Sequence, residues 1–470
     1  MNKQIIKELE NICGISNIIS NHTQMSSYLT DWRNRYMGNA IAVAFPKNTQ
    51  EIETLVKYCL NNHIAITPQG GNTSTCGGAT PFTNYEKPQI IINLARMNKA
   101  IEVDKINQSI TVEAGCTLEQ VQLAAEKHGL YFPLCLASQG SCQIGGNIAT
   151  NAGGVHVLKY GMMRDLTLGI EAVLANGKFI NLDSKLRKNN TYLDVKQLLI
   201  GSEGTLGIIS KATLKLYPIP FDLITFLIGI NNLDQALSLL SLLRGSYLNN
   251  VCAFEIIKKD SQDIYNKYFS AEPLPFTAEW LILGELEINA DFNLDSFISL
   301  IDSIRISLEK TSIASSIKER QYLWSIREKI PLAEKQHGYA VKHDISLPLG
   351  KIDEFLSINM PKLTNAVPNG YFSIFGHLGD GNLHYNLGIN GASKEDVEKL
   401  EELISPIVYN DVVALKGSIA AEHGIGQAKK YWFQRFCPAE NYQLLKAIKE
   451  LLDPYYLFNP GKIFDIESTK

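Results

Sequence analysis

Apolar and polar positions repeat with two different periods along the chain, and the periods divide it into regions. Between ~36 and ~218, short amphipathic stretches alternate with β-branched runs. Ile52, Leu55, Val56, Cys59 and Leu60 fall on one helical face, Asn48 stands where the cap belongs, and Glu51 holds the capping-box position. Strands are predicted at 64–66, 90–94 and 110–114. Thr117 caps a second predicted helix, with Gln120 three residues on and Gly129 as its stop. From ~219 to ~440 the glycine density falls, and strand-like runs at 280–286, 341–347 and 371–389 lie between amphipathic stretches at 291–309 and 392–416. This mixture predicts an α+β domain on an antiparallel sheet. The last thirty residues read as a helix and then the stop LDPYYLFNPGKIF.

The expected organisation is a helical segment over 1–35, a glycine-rich domain over 36–218, a cap domain over 219–440 and a returning segment over 441–470. A chain of 470 residues exceeds one ordinary core. A net charge of −4 argues against nucleic acid as a partner, because phosphate binding needs a basic excess. The eight cysteines form no CxxC pair, which argues against a cysteine zinc site and a disulfide framework. MNKQIIKELENIC lacks the apolar core of a signal peptide. The apolar run 221–230 is far short of the ~20 residues needed to cross a bilayer. A cytoplasmic protein is expected.

Neither GxGxxG after a strand nor GxxxxGK[ST] occurs, so a Rossmann site and a P-loop are not expected. Three other glycine-rich loops stand out. Pro68-Gln69-Gly70-Gly71-Asn72-Thr73, continuing to Gly77-Gly78, directly follows a predicted strand, and its converging N–H groups would make an anion nest suited to a diphosphate. Gly140-Ser141-Cys142-Gln143-Ile144-Gly145-Gly146, continuing to Asn151 and Gly154, suggests backbone pressed against a flat ligand. Gly201-Ser202-Glu203-Gly204-Thr205-Leu206-Gly207-Ile208-Ile209 is the third. Each loop alone also reads as a set of tight turns.

Asp380-Gly381 is a strong two-residue hairpin signal. With those two as the turn, His377 lies opposite His384, Asn386 shares their face, and two imidazoles there can chelate one divalent metal. Glu422-His423 offers a carboxylate and a third histidine. The bland reading is a hairpin with two surface histidines. Arg327 sits on an amphipathic stretch one turn from Trp324, and Lys342 alternates with Val341 and His343 as in a strand. Taken singly, each is an ordinary solvated cation.

Taken together, PQGGNTxxxGG, GSCxIGGNxATNAGG, GSEGTLGI, GHLGDGNLHxN, EHGIG and WxxREKI with GYxVKxDISLP resemble the vanillyl-alcohol-oxidase-like flavoproteins. The match is closest to the branch holding FAD-linked D-lactate and D-2-hydroxyglutarate dehydrogenases, and it runs from about residue 36 to the C-terminus. The resemblance implies an α+β protein: a vanillyl-alcohol-oxidase-type FAD-binding domain of two α/β subdomains, a cap with an antiparallel sheet, and a helical C-terminal segment. It implies non-covalent FAD held by Pro68, Gly70, Gly71, Asn72, Thr73, Gly77, Gly140, Ser141, Gly145, Gly146, Asn151, Gly154, Ile209 and Asn459. It also implies a metal, zinc by ligand type, on His377, His384 and Glu422, with His423 as general base. Arg327, Lys342, Asn386 and His423 would bind the substrate.

The implied reaction is oxidation of a D-2-hydroxy acid to the 2-keto acid by hydride transfer to flavin N5. Electron-transfer flavoprotein or a quinone is the implied acceptor, peripheral attachment to the inner membrane through the acceptor is considered, and so is a homodimer. One departure is Pro331, where D-2-hydroxyglutarate dehydrogenases usually carry threonine. Proline offers no side-chain hydrogen bond and should break or kink a helix, so glycolate and D-lactate become alternatives. Competing readings are an oxygen-using 2-hydroxy acid oxidase, a non-flavin metallohydrolase that leaves the glycine loops without a role, and a silent flavin-binding subunit, in which the metal motif should be eroded.

Overall fold

The computed structural model describes residues 2–83, 85–247 and 250–465. The chain folds as two compact units: Met1–Gly154 with Gly161–Ile219 and Glu422–Lys470, and Val155–Tyr160 with Pro220–Ala421. The second unit therefore stops at Ala421, short of the expected boundary near 440, and it takes in a six-residue segment from inside the glycine-rich region.

In the first unit, β1 (Ile18–Ile19), β2 (Ala42–Ala44), β3 (Ala65–Gln69) and β4 (Gln89–Asn93) form a sheet in the order β1-β2-β4-β3. β4 pairs in parallel with β2 and β3, and all five of its residues are buried, as suits a central strand covered on both faces. The N-terminal segment is part of this fold, since β1 adds to the sheet antiparallel to β2. Asn48 caps the helix Thr49–Asn61 through the N–H of Glu51, and the Glu51 carboxylate accepts from the N–H of Lys47.

β5 (Ala100–Asp104), β6 (Ser109–Glu113), β7 (Leu130–Tyr131), β8 (Thr167–Leu174), β9 (Phe179–Leu182), β10 (Gly207–Lys215) and β11 (Tyr217–Pro218) follow. β7 and β11 pair with each other, and the rest form an antiparallel sheet in the order β5-β6-β10-β8-β9. Thr117 and Gln120 make a full capping box for the helix Leu118–Glu126.

The C-terminal segment returns to β3. The N–H of Ile66 donates to Leu457 O at 2.8 Å and the N–H of Asn459 to Ile66 O at 2.7 Å. One buried ion pair fixes this return. On the helix Ala439–Leu452, Lys449 Nζ donates to Asp453 Oδ2 (2.5 Å), Thr205 O (2.7 Å) and Phe458 O (2.9 Å). Asp453 accepts in addition from the N–H groups of Leu457 and Phe458.

The second unit is built on an antiparallel sheet of β12 (Asp222–Ile230), β13 (Val251–Lys258), β14 (Trp280–Ile288), β15 (Thr311–Ile313), β16 (Ala340–Ser346), β17 (Gly370–His377) and β18 (Asn382–Ile389). Their order is β15-β12-β14-β13-β17-β18-β16. The apolar run at 221–230 is thus strand β12, and no described helix is long and apolar enough to cross a membrane. The helix Ile317–His337 covers one face of the sheet, packing Leu323, Ile326 and Ile330 against Leu227, Leu281, Leu283 and Phe375. Side chains of the opposite face meet the helices Ile352–Ala366 and Lys394–Ala414: Tyr385 packs on Phe355, and His343 bonds Ser405 Oγ at 3.0 Å. The segment Val155–Tyr160 is tied to β14, His156 to Glu285 and both Lys159 and Tyr160 to Glu287.

Removing Lys449 leaves the fully buried Asp453 carboxylate without its cation, a change that costs about 3–5 kcal/mol. K449M is therefore expected to lower the melting temperature and to open the residues around Leu457 to limited proteolysis; an unchanged melt would contradict this role for the pair.

Candidate active site

The sheet face under the helix Ile317–His337 carries more than apolar packing. Strand alternation puts Thr225, Glu285, Glu255, His377, His384, Asn386 and Lys342 on this side, because each stands opposite or two residues from the next in the strand pairing. The helix answers with Trp324, Arg327 and Glu334. Burying such groups is tolerable only if each finds a partner. Glu285 accepts from Trp324 Nε1 and Thr225 Oγ1, both at 2.9 Å. Burial acts to raise the Glu285 carboxyl, but bonds from His156 and its other donors outweigh it and hold the group below the usual carboxylate range.

Glu255 is fully buried at 0% exposure. It accepts from Arg327 Nε at 2.8 Å and from His377 Nδ1 at 2.6 Å. Burial again acts to raise its carboxyl, and the charges of His377 and Arg327 prevail and lower it. Arg327 is itself buried and lies over the Phe375 ring, 4.6 Å from its centroid. Its two terminal amino groups bond to no described residue. Glu334, two turns along the helix, is 1% exposed. It accepts from Lys342 Nζ at 2.9 Å and Asn386 Nδ2 at 2.7 Å. The break expected at Pro331 is absent, since the helix runs through it to His337 and loses only the N–H that would have met the Arg327 carbonyl.

The histidine pair forms, but with a different register from the one expected. Leu378–Asp380 is a 3₁₀ turn closed by Gly381 at φ 84°, so the loop is longer than a two-residue turn. His384 stands opposite Phe375, not His377, and His377 stands opposite Glu255 of β13. The two rings remain diagonal neighbours on one face, with centroids 5.6 Å apart. Asn382 donates to Asp344 Oδ1 at 2.9 Å and so fixes the residue directly opposite His384.

The chain leaves this unit after Ala421, whose N–H reaches Asp344 O at 3.4 Å. Glu422 is the next residue along the chain, the carboxylate that the sequence offers beside the two histidines. Two imidazoles and a carboxylate suit a divalent ion with an open position. The bond from Nδ1 of His377 to Glu255 fixes the orientation of that ring. His423 follows, half-buried. The N–H groups of Ile425 and Gly426 then close onto the two oxygens of Glu203, each at 2.7 Å. Burial raises the Glu203 carboxyl in spite of those bonds.

In the first unit the glycine loops meet each other. A Cβ on Gly71 would stand 1.9 Å from Ser141 O, whereas one on Gly146 would meet nothing within 4 Å. The first position needs glycine for loop-to-loop contact, and the second leaves open space beside the backbone. Asn72 Oδ1, Gln143 Oε1, Thr67 Oγ1 and Asn459 Oδ1 are buried without a hydrogen-bond partner. Such orphans suit a polar ligand that supplies donors, and FAD fits them. Of the residues expected to contact FAD, Asn72 and Asn459 carry such orphaned atoms; Pro68 lies on β3, Ile209 lies on β10, and Asn459 Nδ2 donates to Gly78 O and Glu203 O. Asn151 Oδ1 is taken by the N–H of Arg164. Thr73, within the first loop, is half-buried, Gly77, Gly145 and Gly154 are buried, and Gly140 is exposed.

Glu255, Glu334, Glu203 and Gln143 were not expected from the sequence. Glu255 alone carried a signal, as a charge inside the apolar strand VCAFEIIK.

The fold and the orphaned loop atoms define an FAD-binding oxidoreductase. Residues 40–183 match the family described as FAD binding domain, and residues 220–463 match FAD linked oxidases, C-terminal domain. A mitochondrial D-2-hydroxyglutarate dehydrogenase of Arabidopsis thaliana is 34% identical over 466 residues, covering 97% of this chain and 81% of that protein. D-2-hydroxyglutarate dehydrogenase of Xanthomonas citri pv. viticola is 31% identical over 444 residues, covering 94% and 93%. The structure of p-cresol methylhydroxylase superposes with a TM-score of 0.78 at 14% identity over 100% of this chain and 98% of that one, which shows the shared vanillyl-alcohol-oxidase-type fold. The chain belongs to the FAD-linked oxidase family, within its FAD-dependent 2-hydroxy acid dehydrogenases, oxidoreductases acting on CH–OH groups.

Exchanging Glu255 for glutamine keeps the shape and removes the charge facing buried Arg327. E255Q should lose about 3–5 kcal/mol of stability, measured by thermal melting of the flavin-loaded protein. A melt equal to wild type would show that the Glu255–Arg327 pair contributes little.

Proposed function

We propose that the chain oxidises a D-2-hydroxy acid to the 2-keto acid, with the metal set and the charged layer of the second unit holding the substrate. The observation that carries this reading is Arg327, a buried guanidinium anchored at Nε with both amino groups left for a carboxylate. Bound FAD would accept the two electrons as a hydride at N5, and a divalent ion, zinc by its N/O ligands, would make the substrate hydroxyl more acidic.

The chain's own groups do the rest. Arg327 grips the carboxylate and fixes the direction of the C2–H bond, which is orientation rather than chemistry. His423 takes the hydroxyl proton as general base while the hydride leaves C2, so the product is the keto acid and one proton rests on the imidazole. Glu255 holds His377 in one tautomer and ring orientation. Lys342 and Asn386 complete the substrate wall beside Glu334. The electrons pass on to an acceptor such as electron-transfer flavoprotein or a quinone.

Anaerobic mixing of the purified protein with D- and L-2-hydroxy acids tests the reading: a D-acid should bleach the flavin and its L-enantiomer should not. Flavin that stays oxidised with every acid would end the proposal. H423A should retain flavin and lower the bleaching rate roughly 10²–10⁴-fold, and a near-wild-type rate would remove the histidine from its role as base. H384A should stay yellow and lose turnover, and activity that survived would remove the metal set from the reaction.

A further inference from the structure

The substrate wall holds two cations and two buried carboxylates, and they pair one to one. Glu255 takes one nitrogen of Arg327 and leaves the other two available. Glu334 is placed differently. One of its oxygens meets Lys342 Nζ at 2.9 Å and the other meets Asn386 Nδ2 at 2.7 Å. It therefore offsets the charge of the second cation and engages the amide donor that would serve a substrate oxygen. Arg327, Pro331 and Glu334 lie on one helical face at spacings of four and three residues. Along that face the chain presents a guanidinium held at Nε with its two amino groups open, then a residue with no donor, then a carboxylate.

We infer that Glu334 sets the substrate class: the wall accepts a 2-hydroxy acid with a single carboxylate and rejects a dicarboxylate. One substrate carboxylate finds the free end of Arg327. A second would come to Lys342 already paired, next to a carboxylate that repels it and a proline that offers no hydrogen. A merely structural Glu334 would change the yield or stability of the protein without changing which acid is preferred. This inference rests on the reaction proposed above and goes further by naming the tail of the acid.

The test compares kcat/KM for D-lactate and D-2-hydroxyglutarate on the flavin-loaded protein, with anaerobic flavin reduction as a second readout. Wild type should favour D-lactate at least tenfold, and E334Q should shift the ratio toward D-2-hydroxyglutarate by a further factor of ten or more. Preference of the wild type for D-2-hydroxyglutarate overturns the inference without any variant, as does a ratio that E334Q leaves unmoved. Should E334Q fail to fold, E334D, which draws the carboxylate back from Lys342, should move the ratio the same way, and an unmoved ratio again overturns it. If neither acid reduces the wild-type flavin, the proposed reaction falls and this inference falls with it, an outcome distinct from reduction with the wrong preference.

Discussion

A guanidinium held at 8% exposure loses most of its hydration, and such a group persists only with a counter-charge in hydrogen-bond reach. Glu255 provides that charge from a neighbouring strand, and the same carboxylate takes the Nδ1 proton of His377. A single residue thus sets the direction of the Arg327 guanidinium and the tautomer of His377. Glu334 repeats the arrangement one step away for Lys342 and Asn386. Each partner depends on strand register, because a slip of one residue would turn the entire polar row to the other face. The long helix over this face is therefore both the lid of a core and the wall of a site.

The first unit follows a different logic. Its ligand loops are made of backbone, and what they lack in side chains they supply in close approach and in acceptors left without partners. The C-terminal segment closes this arrangement by running beside β3, where the buried Lys449–Asp453 pair places Asn459 next to Gly78.

Much of this was legible in the amino-acid order. Helix caps at Asn48 and Thr117 were readable because their partners lie three residues away, and the glycine loops because their spacing is local. The histidine pair was readable as a pair but not in its register. Asp380-Gly381 suggested a two-residue turn, whereas the 3₁₀ turn before Gly381 moved His377 opposite Glu255, 122 residues away. Pro331 was expected to break or kink its helix, yet the helix runs through it with Leu323, Ile326 and Ile330 packed on the sheet. Glu203 was silent because its partners lie more than two hundred residues along the chain, and Glu334 because its partners come from two strands that local spacing does not place against the helix; an isolated glutamate on an amphipathic helix or in a glycine loop reads as solvated. Such long-range pairings are the part that no local pattern encodes.

The proposed metal set of His377, His384 and Glu422 is tested most directly by elemental analysis of protein purified without chelators. Close to one zinc or similar ion per chain is expected in the wild type, and background levels in H377A. Wild-type protein that contains no such ion, and takes up none when zinc is supplied, would contradict it.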